Sequence, residues 1–242
     1  MAQSGYGKIC FCNDCYVEVP IASTATDVPY GDFRVFGQGI AEVDSGAVVI
    51  AGMPSGAVRL TTTNEAAHSI AVGTTQGFSP ALNGPLAAEC RVQLNDIDTK
   101  TVFFGFSDDA AVTAIMPVTG TTTTLTLSDS DLCGFVLDAA LTSDEEWHFA
   151  HNGGSATGVT DSTAVVSGVD AVAAEWDVLR VEIDVDGTAR WYINGDLGKT
   201  LVGAVAPATV FAAYVMVQAA GASNEELDLD YIAVEAYRDW TR

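Results

Sequence analysis

Between residues 178 and 203 the chain alternates apolar and polar side chains and reverses direction twice. Val181, Ile183 and Val185 alternate with Glu182, Asp184 and Asp186. After Asp186 and Gly187, the residues Ala189, Trp191 and Ile193 alternate with Arg190, Tyr192 and Asn194, and Asn194 with Gly195 then turns the chain into 197–202. Asp-Gly and Asn-Gly between alternating runs are strong hairpin signals, because a type I′ turn needs positive φ at both central positions. Successive side chains of a strand point to opposite faces. The segment therefore predicts three antiparallel strands, with Trp191 in the core and Tyr192 outside.

Shorter runs of the same kind recur at 34–36, 47–51, 57–62, 86–94, 101–106, 122–127, 132–137, 147–151, 209–218 and 227–236. Gly, Pro, Ser and Asp separate them, and 96–100 reads as a polar turn. No long stretch carries the 3.6-residue spacing of an amphipathic helix; 171–176 supplies at most a single helical turn. Many short strands with turn signals between them predict an all-β sandwich or barrel. Residues 1–27 differ. They carry the run CFCNDC, with Cys10, Phe11, Cys12 and Cys15 followed by Tyr16, and a small polar stretch after it. This part reads as an N-terminal arm or added strand, and 28–242 as the sandwich.

Charge narrows the partners. The 242 residues hold 10 Lys and Arg against 32 Asp and Glu, a formal charge of −22. Nucleic-acid binding displaces phosphate counterions with protein cations, and anionic membranes recruit polybasic segments, so both are poor partners for this chain. With 48% apolar residues the chain as a whole is not disordered. Residues 1–8 lack the apolar core of a signal peptide, and the apolar stretch 210–217 is too short to span a bilayer. Five cysteines, an odd number, fit folding in a reducing cytoplasm better than a secreted disulfide scaffold.

Two sets of residues carry a resemblance. Residues 179–195 (LRVEIDVDGTARWYING) and 227–235 (LDLDYIAVE) resemble the aromatic-bearing hairpin and closing strand of concanavalin A-like jelly rolls, the lectin and glucanase fold. Residues 31–37 (GDFRVFG), 87–94 (AAECRVQL), 103–109 (FFGFSDD) and Cys133 to Phe135 followed by Trp147 resemble tailed-phage virion proteins. In that group such a jelly roll accompanies the major capsid protein. The resemblance covers about residues 28–240 and implies a concanavalin A-like jelly roll that acts as a capsid decoration or cement protein. It further implies a virion location after folding in the host cytoplasm, the major capsid protein as partner, and a homotrimer. The Cys10, Cys12, Cys15 pattern is not part of it. An arm that pairs with a neighbouring sheet edge makes a sensible interface, which puts Cys10, Phe11, Cys12, Cys15 and Tyr16 at intersubunit or capsid contacts. The alternative is a lectin-like carbohydrate-binding module on a virion surface, with Tyr192 as the glycan-stacking residue.

Catalytic chemistry is hard to assemble. A glucanase of this fold uses two carboxylates on one strand face above the sugar. Glu226, Asp228 and Asp230 have nearly the right spacing but lie on the closing strand, so a glycosidase is the third reading and the expected assignment is no enzyme. His148 and His151 are three apart on one strand and face opposite sides, which argues against a metal pair. Neither a nucleophile elbow nor a phosphate-cradling loop occurs. Cys10, Cys12 and Cys15 supply three thiolates to a zinc ion only if a distant residue adds a fourth; the simpler reading is buried free thiols. Asp108, Asp109, Asp129 and Asp131 are possible calcium donors, with ordinary solvated loops as the simpler reading. No cofactor is expected otherwise.

Overall fold

The computed structural model describes residues 7–22, 25–54, 56–74, 77–109 and 116–238. Two antiparallel sheets pack face to face. From edge to edge, the first contains β16 (Asp196–Leu201), β15 (Ala189–Ile193), β14 (Trp176–Ile183), β7 (Leu86–Leu94), β18 (Glu226–Tyr237), β5 (Val58–Thr61) and β4 (Gly46–Val49). An eighth strand, β1 (Lys8–Asn13), pairs with the second half of β18, beyond the part that pairs with β5. The second sheet runs β13 (Val166–Asp170), β12 (Glu146–Asn152), β11 (Leu132–Asp138), β8 (Lys100–Ser107), β17 (Ala212–Ala219), β6 (Ser69–Gly73), β3 (Phe33–Phe36) and β2 (Asp27–Tyr30). A separate hairpin, β9 (Val118–Thr121) with β10 (Thr124–Leu127), interrupts the run between β8 and β11. The one α-helical element among the described residues is a single turn, α1 (Pro80–Asn83).

The hairpin segment folds as its pattern requires, with one correction. Asn194 and Gly195 both take positive φ, 53° and 89°, and make the two-residue turn between β15 and β16. The first turn is longer than Asp-Gly alone. Gly187 N–H donates to Asp184 O, and Asp184 N–H to Thr188 O, so β14 stops at Ile183 and Val185 is exposed in the loop. Asp186 Oδ1 accepts the Thr188 amide (2.9 Å), a local bond that favours turn over continued strand. Residues 171–175 are likewise a tight turn, with Ala174 at φ 62°, and not a helical one; β14 begins at Trp176.

The main core lies between the sheets. Leu179, Val181, Ile183, Trp191, Ile232 and Val234 from the first sheet meet Val102, Phe104, Phe135, Val215 and Val217 from the second. Trp191 is fully buried, as its parity with Ala189 and Ile193 predicts, and its indole N–H donates to Gly134 O across the gap (2.9 Å). A buried indole N–H usually finds such a partner, since burial without one leaves a donor unpaired. The N-terminal arm is no separate body in the described part. Ile9 and Phe11 face inward from β1, and Phe11 packs edge-on to Phe33 and Phe78 with centroids 6.4 and 6.1 Å away.

Candidate functional site

A jelly roll of this kind can present a ligand on an outer sheet face, at a sheet edge or in its loops. The outer face of the second sheet is closed over its central strands. Phe36, Phe103, Tyr214 and Met216, of opposite parity to the main core, form a second buried cluster with Ala71, Ala212 and Met116. Tyr214 packs edge-on to Phe36 and tilted against Phe103, at centroid distances of 5.7 and 5.4 Å. Gly134 lets the Phe103 ring lie on the sheet, because a Cβ there would come within 2.8 Å of it. The acids near this face hold neighbouring hydroxyls and amides. Asp138 accepts the Thr101 hydroxyl and the amides of Gly120 and Ala140, at 2.7–3.0 Å. The Ser107 hydroxyl donates to Asp129, and burial pushes that carboxyl up to about 6.

The outer face of the first sheet is open and polar. Arg180 grips Glu89 and Glu182, Arg91 grips Asp230 while lying 4.6 Å from the Trp176 ring centre, and Arg190 grips Asp184. Glu226 and Asp228, the nearest approach to a glucanase pair, both bind the Arg59 guanidinium, at 3.1 and 2.7 Å. Arg59 is the partner that holds them, so the spacing read from sequence serves an ion pair here. Tyr192 sits on this face as expected, half-buried, with its hydroxyl donating to Glu182 Oε2 (3.2 Å).

The third region is where the arm leaves the sheet. Alternation along β1 sends Cys10 and Cys12 outward, where both are exposed. Asn13 then stops the strand: its Oδ1 accepts the Cys15 amide (2.9 Å) and its Nδ2 donates to Tyr30 O (3.1 Å). Cys15, at φ 52°, turns inward and is fully buried, which pushes its thiol up to about 12. Such a thiol is unreactive near neutral pH. The expectation of buried thiols in the arm thus holds for Cys15 alone, and the three sulfurs do not converge on one zinc position. All five cysteines are free, with Cys90 and Cys133 in the core. Of the interface candidates, Phe11 and Cys15 are spent on the core; Cys10, Cys12 and Tyr16 remain at the surface. Tyr16 and Val17 are 62% and 66% exposed, and with Cys12, Pro29 and Tyr30 they border a groove of about 570 Å³.

The remaining candidates separate cleanly. His148 points away from the main core and His151 into it, as three-residue spacing dictates; both are buried, and burial lowers both imidazoles. Asp108, Asp109, Asp129 and Asp131 share one corner, but their carboxylates do not close on a common point. Asp108 Oδ1 accepts the Asp131 amide (3.2 Å) and Asp131 Oδ1 the Ala206 amide (3.4 Å). Among the described residues one group does bring three ligand atoms together, Glu42, Glu65 and His68. No sequence motif links these three; only the folded turns do. No helix of the described residues is long and apolar enough to cross a membrane.

No protein-family model and no curated protein matches the sequence. Solved structures do. A protein of unknown function from Shewanella oneidensis MR-1 superposes with a TM-score of 0.59 at 11% identity, covering 98% of this chain and 89% of that one. A Bacteroides ovatus mixed-linkage glucan GH16 protein, solved with its G4G4G3G product, gives 0.55 at 9% identity, covering 93% and 99%. Peanut lectin gives 0.54 at 11% identity, covering 95% and 97%. At these identities the likeness is one of fold, and the fold is the concanavalin A-like lectin and glucanase jelly roll.

Proposed function

We propose that the chain is a non-catalytic docking module of a virion, a capsid decoration protein that binds the major capsid protein and stabilises the shell, as a homotrimer on the capsid surface. One observation carries the docking part. The outer face of the second sheet is filled by the protein's own side chains, whereas exposed Tyr16 and Val17 border an open groove where the arm meets the sandwich. Exposed apolar and aromatic side chains beside a concave surface are what a protein partner anchors on. The word "virion" rests on the resemblance of residues 31–37, 87–94 and 103–109. A charge of −22 keeps free copies apart and leaves attachment to specific contacts.

The test is co-sedimentation of the purified protein with empty shells of its cognate capsid protein. The double substitution Tyr16→Ser and Val17→Ser should remove shell binding while circular dichroism and unfolding temperature stay unchanged. Undiminished binding by that variant, or no binding by the parent protein, overturns the reading.

A second reading, glycan binding, rests on Tyr192. Its ring lies on the open polar face and its hydroxyl is fixed by Glu182, which Arg180 also holds. A fixed aromatic with charged neighbours suits one sugar ring. On a glycan array the parent protein should then give signal that Tyr192→Ala loses; a blank array retires this reading.

A further inference from the structure

Two turns meet at one end of the sandwich, and each brings carboxylates. Glu42 lies in the turn between β3 and β4; Glu65 and His68 lie in the turn between β5 and β6. One ligand atom from each is within 4.8 Å of the other two. His68 Nε2 is 3.1 Å from Glu65 Oε2, and Nδ1 is 3.5 Å from Glu42 Oε1. Among the described residues neither glutamate is paired with lysine or arginine; both turn to the one imidazole.

The imidazole is held from outside the cluster. Thr63 Oγ1 is 2.8 Å from Nδ1. With the ring proton on Nδ1 and donated to Thr63, the Nε2 lone pair faces Glu65. A hydrogen bond from the second ring nitrogen is what orients a metal-bound histidine, and here a hydroxyl oxygen is placed to accept it. Gly39, at φ 85°, packs against the ring: a Cβ there would come within 2.4 Å of Nδ1. The two turns are also tied together independently. Asp44 accepts the Asn64 amide (3.2 Å), and Asn224 Nδ2 donates to Asp44 O (3.1 Å) and Thr62 O (2.8 Å). His68 is therefore set in place, while the glutamate side chains, 43% and 58% exposed, are free to turn toward it.

We infer that Glu42, Glu65 and His68 form a binding site for a divalent cation of the Zn²⁺ class. Zinc takes imidazole nitrogen and carboxylate oxygen at about 2.0–2.2 Å, which places neighbouring ligands roughly 3–3.5 Å apart. The Nε2 to Oε2 distance already meets this; Glu42 Oε1 now lies 3.5 Å from the other ring nitrogen, Nδ1, and its exposed side chain has to swing to the Nε2 side to complete the set. Ca²⁺ is the wrong class, since it wants six to eight oxygens and no imidazole. Three protein ligands leave a fourth position for water or for a donor from another molecule. The strongly negative surface raises the local concentration of cations.

The experiment is Zn²⁺ titration calorimetry on the full chain after chelator treatment, in a Cys10→Ser, Cys12→Ser background that removes the exposed thiols. One equivalent should bind, and His68→Gln and Glu65→Gln should each weaken it at least tenfold. Thr63→Val, which touches no metal, should weaken it several-fold by freeing the ring. Nitrogen-15 spectra should show Zn²⁺ moving the His68 Nε2 resonance and leaving His148 and His151 in place. Unfolding curves without metal check that each variant is folded. The assignment is overturned by no binding up to millimolar Zn²⁺, by binding that His68→Gln leaves intact, by binding lost with the two exposed thiols, or by displacement with equimolar Ca²⁺.

Discussion

The two outer sheet faces solve the same problem in opposite ways. The first sheet meets water directly and covers itself with Arg59, Arg91, Arg180 and Arg190, each matched to carboxylates two or three ångströms away. The second sheet buries Phe36, Phe103, Tyr214 and Met216 on its outer face, so its central strands are apolar on both sides. An antiparallel sheet commonly keeps one face wet; the first sheet does so across its width, the second only on edge strands such as β13 and β2. Four of the seven arginines therefore sit on one surface of a chain that is otherwise acidic, and the second sheet acts as an inner layer.

If that contrast is right, substitutions on the two faces should differ several-fold in cost. Phe103→Ala opens a cavity in a fully buried cluster and should destabilise by about 3–5 kcal/mol in urea unfolding. A cost below about 1 kcal/mol would mean that the face is wet.

Asp129 sharpens the comparison at the border of the closed face. Its folded pKa is raised to about 6, so the fold prefers the protonated carboxyl. Its contribution is full below the ordinary carboxylate pKa and is lost as pH rises through about 6. The parent protein should therefore lose about 1–2 kcal/mol more than Asp129→Asn between pH 4.5 and 7.5. Parallel pH–stability curves for the two would remove the argument. On the wet face, Arg180→Gln should cost less than about 1 kcal/mol, and less still in high salt, since both its partners and the guanidinium are about a third exposed.

The same contrast explains which parts of the fold were legible. β14, β15 and β16 carry one wet face, so their alternation and the Asn194 and Gly195 turn show in the sequence, and Trp191 and Tyr192 land on the sides that parity assigns. β6 is buried on both faces, and Ser-Ile-Ala-Val-Gly has no period of two to notice. Lys100, at the end of a stretch that reads as a polar turn, instead opens β8 fully buried. Its ammonium donates to Asn95 Oδ1 and Glu226 O and lies 3.4 Å from Glu225. Asn95 and Asp96 lie within a local window, but Glu225 and the Glu226 carbonyl, which complete the surroundings of this buried charge, come from the far end of the chain. The candidate sites follow the same rule. The arm's thiols read as buried, and Cys10 and Cys12 turn out exposed because β1 is a two-sided strand with Ile9 and Phe11 facing inward; Glu42 meets His68 only because two distant turns are pinned by Asp44 and Asn224.

The pairing of β1 with β18 sets an order of events during synthesis. Ile9 lies opposite Ala236 and Phe11 opposite Val234, so the earliest strand made has to wait for one of the latest. Until then Ile9 and Phe11 have no sheet to join, and β7 lacks the neighbour that separates it from β5. Contacts this far apart in sequence make folding slow. They also make it discriminating: a chain cut short before β18 leaves the first sheet in three pieces, β16 to β7, β5 with β4, and β1 alone, so a damaged or unfinished copy cannot pass as a whole one.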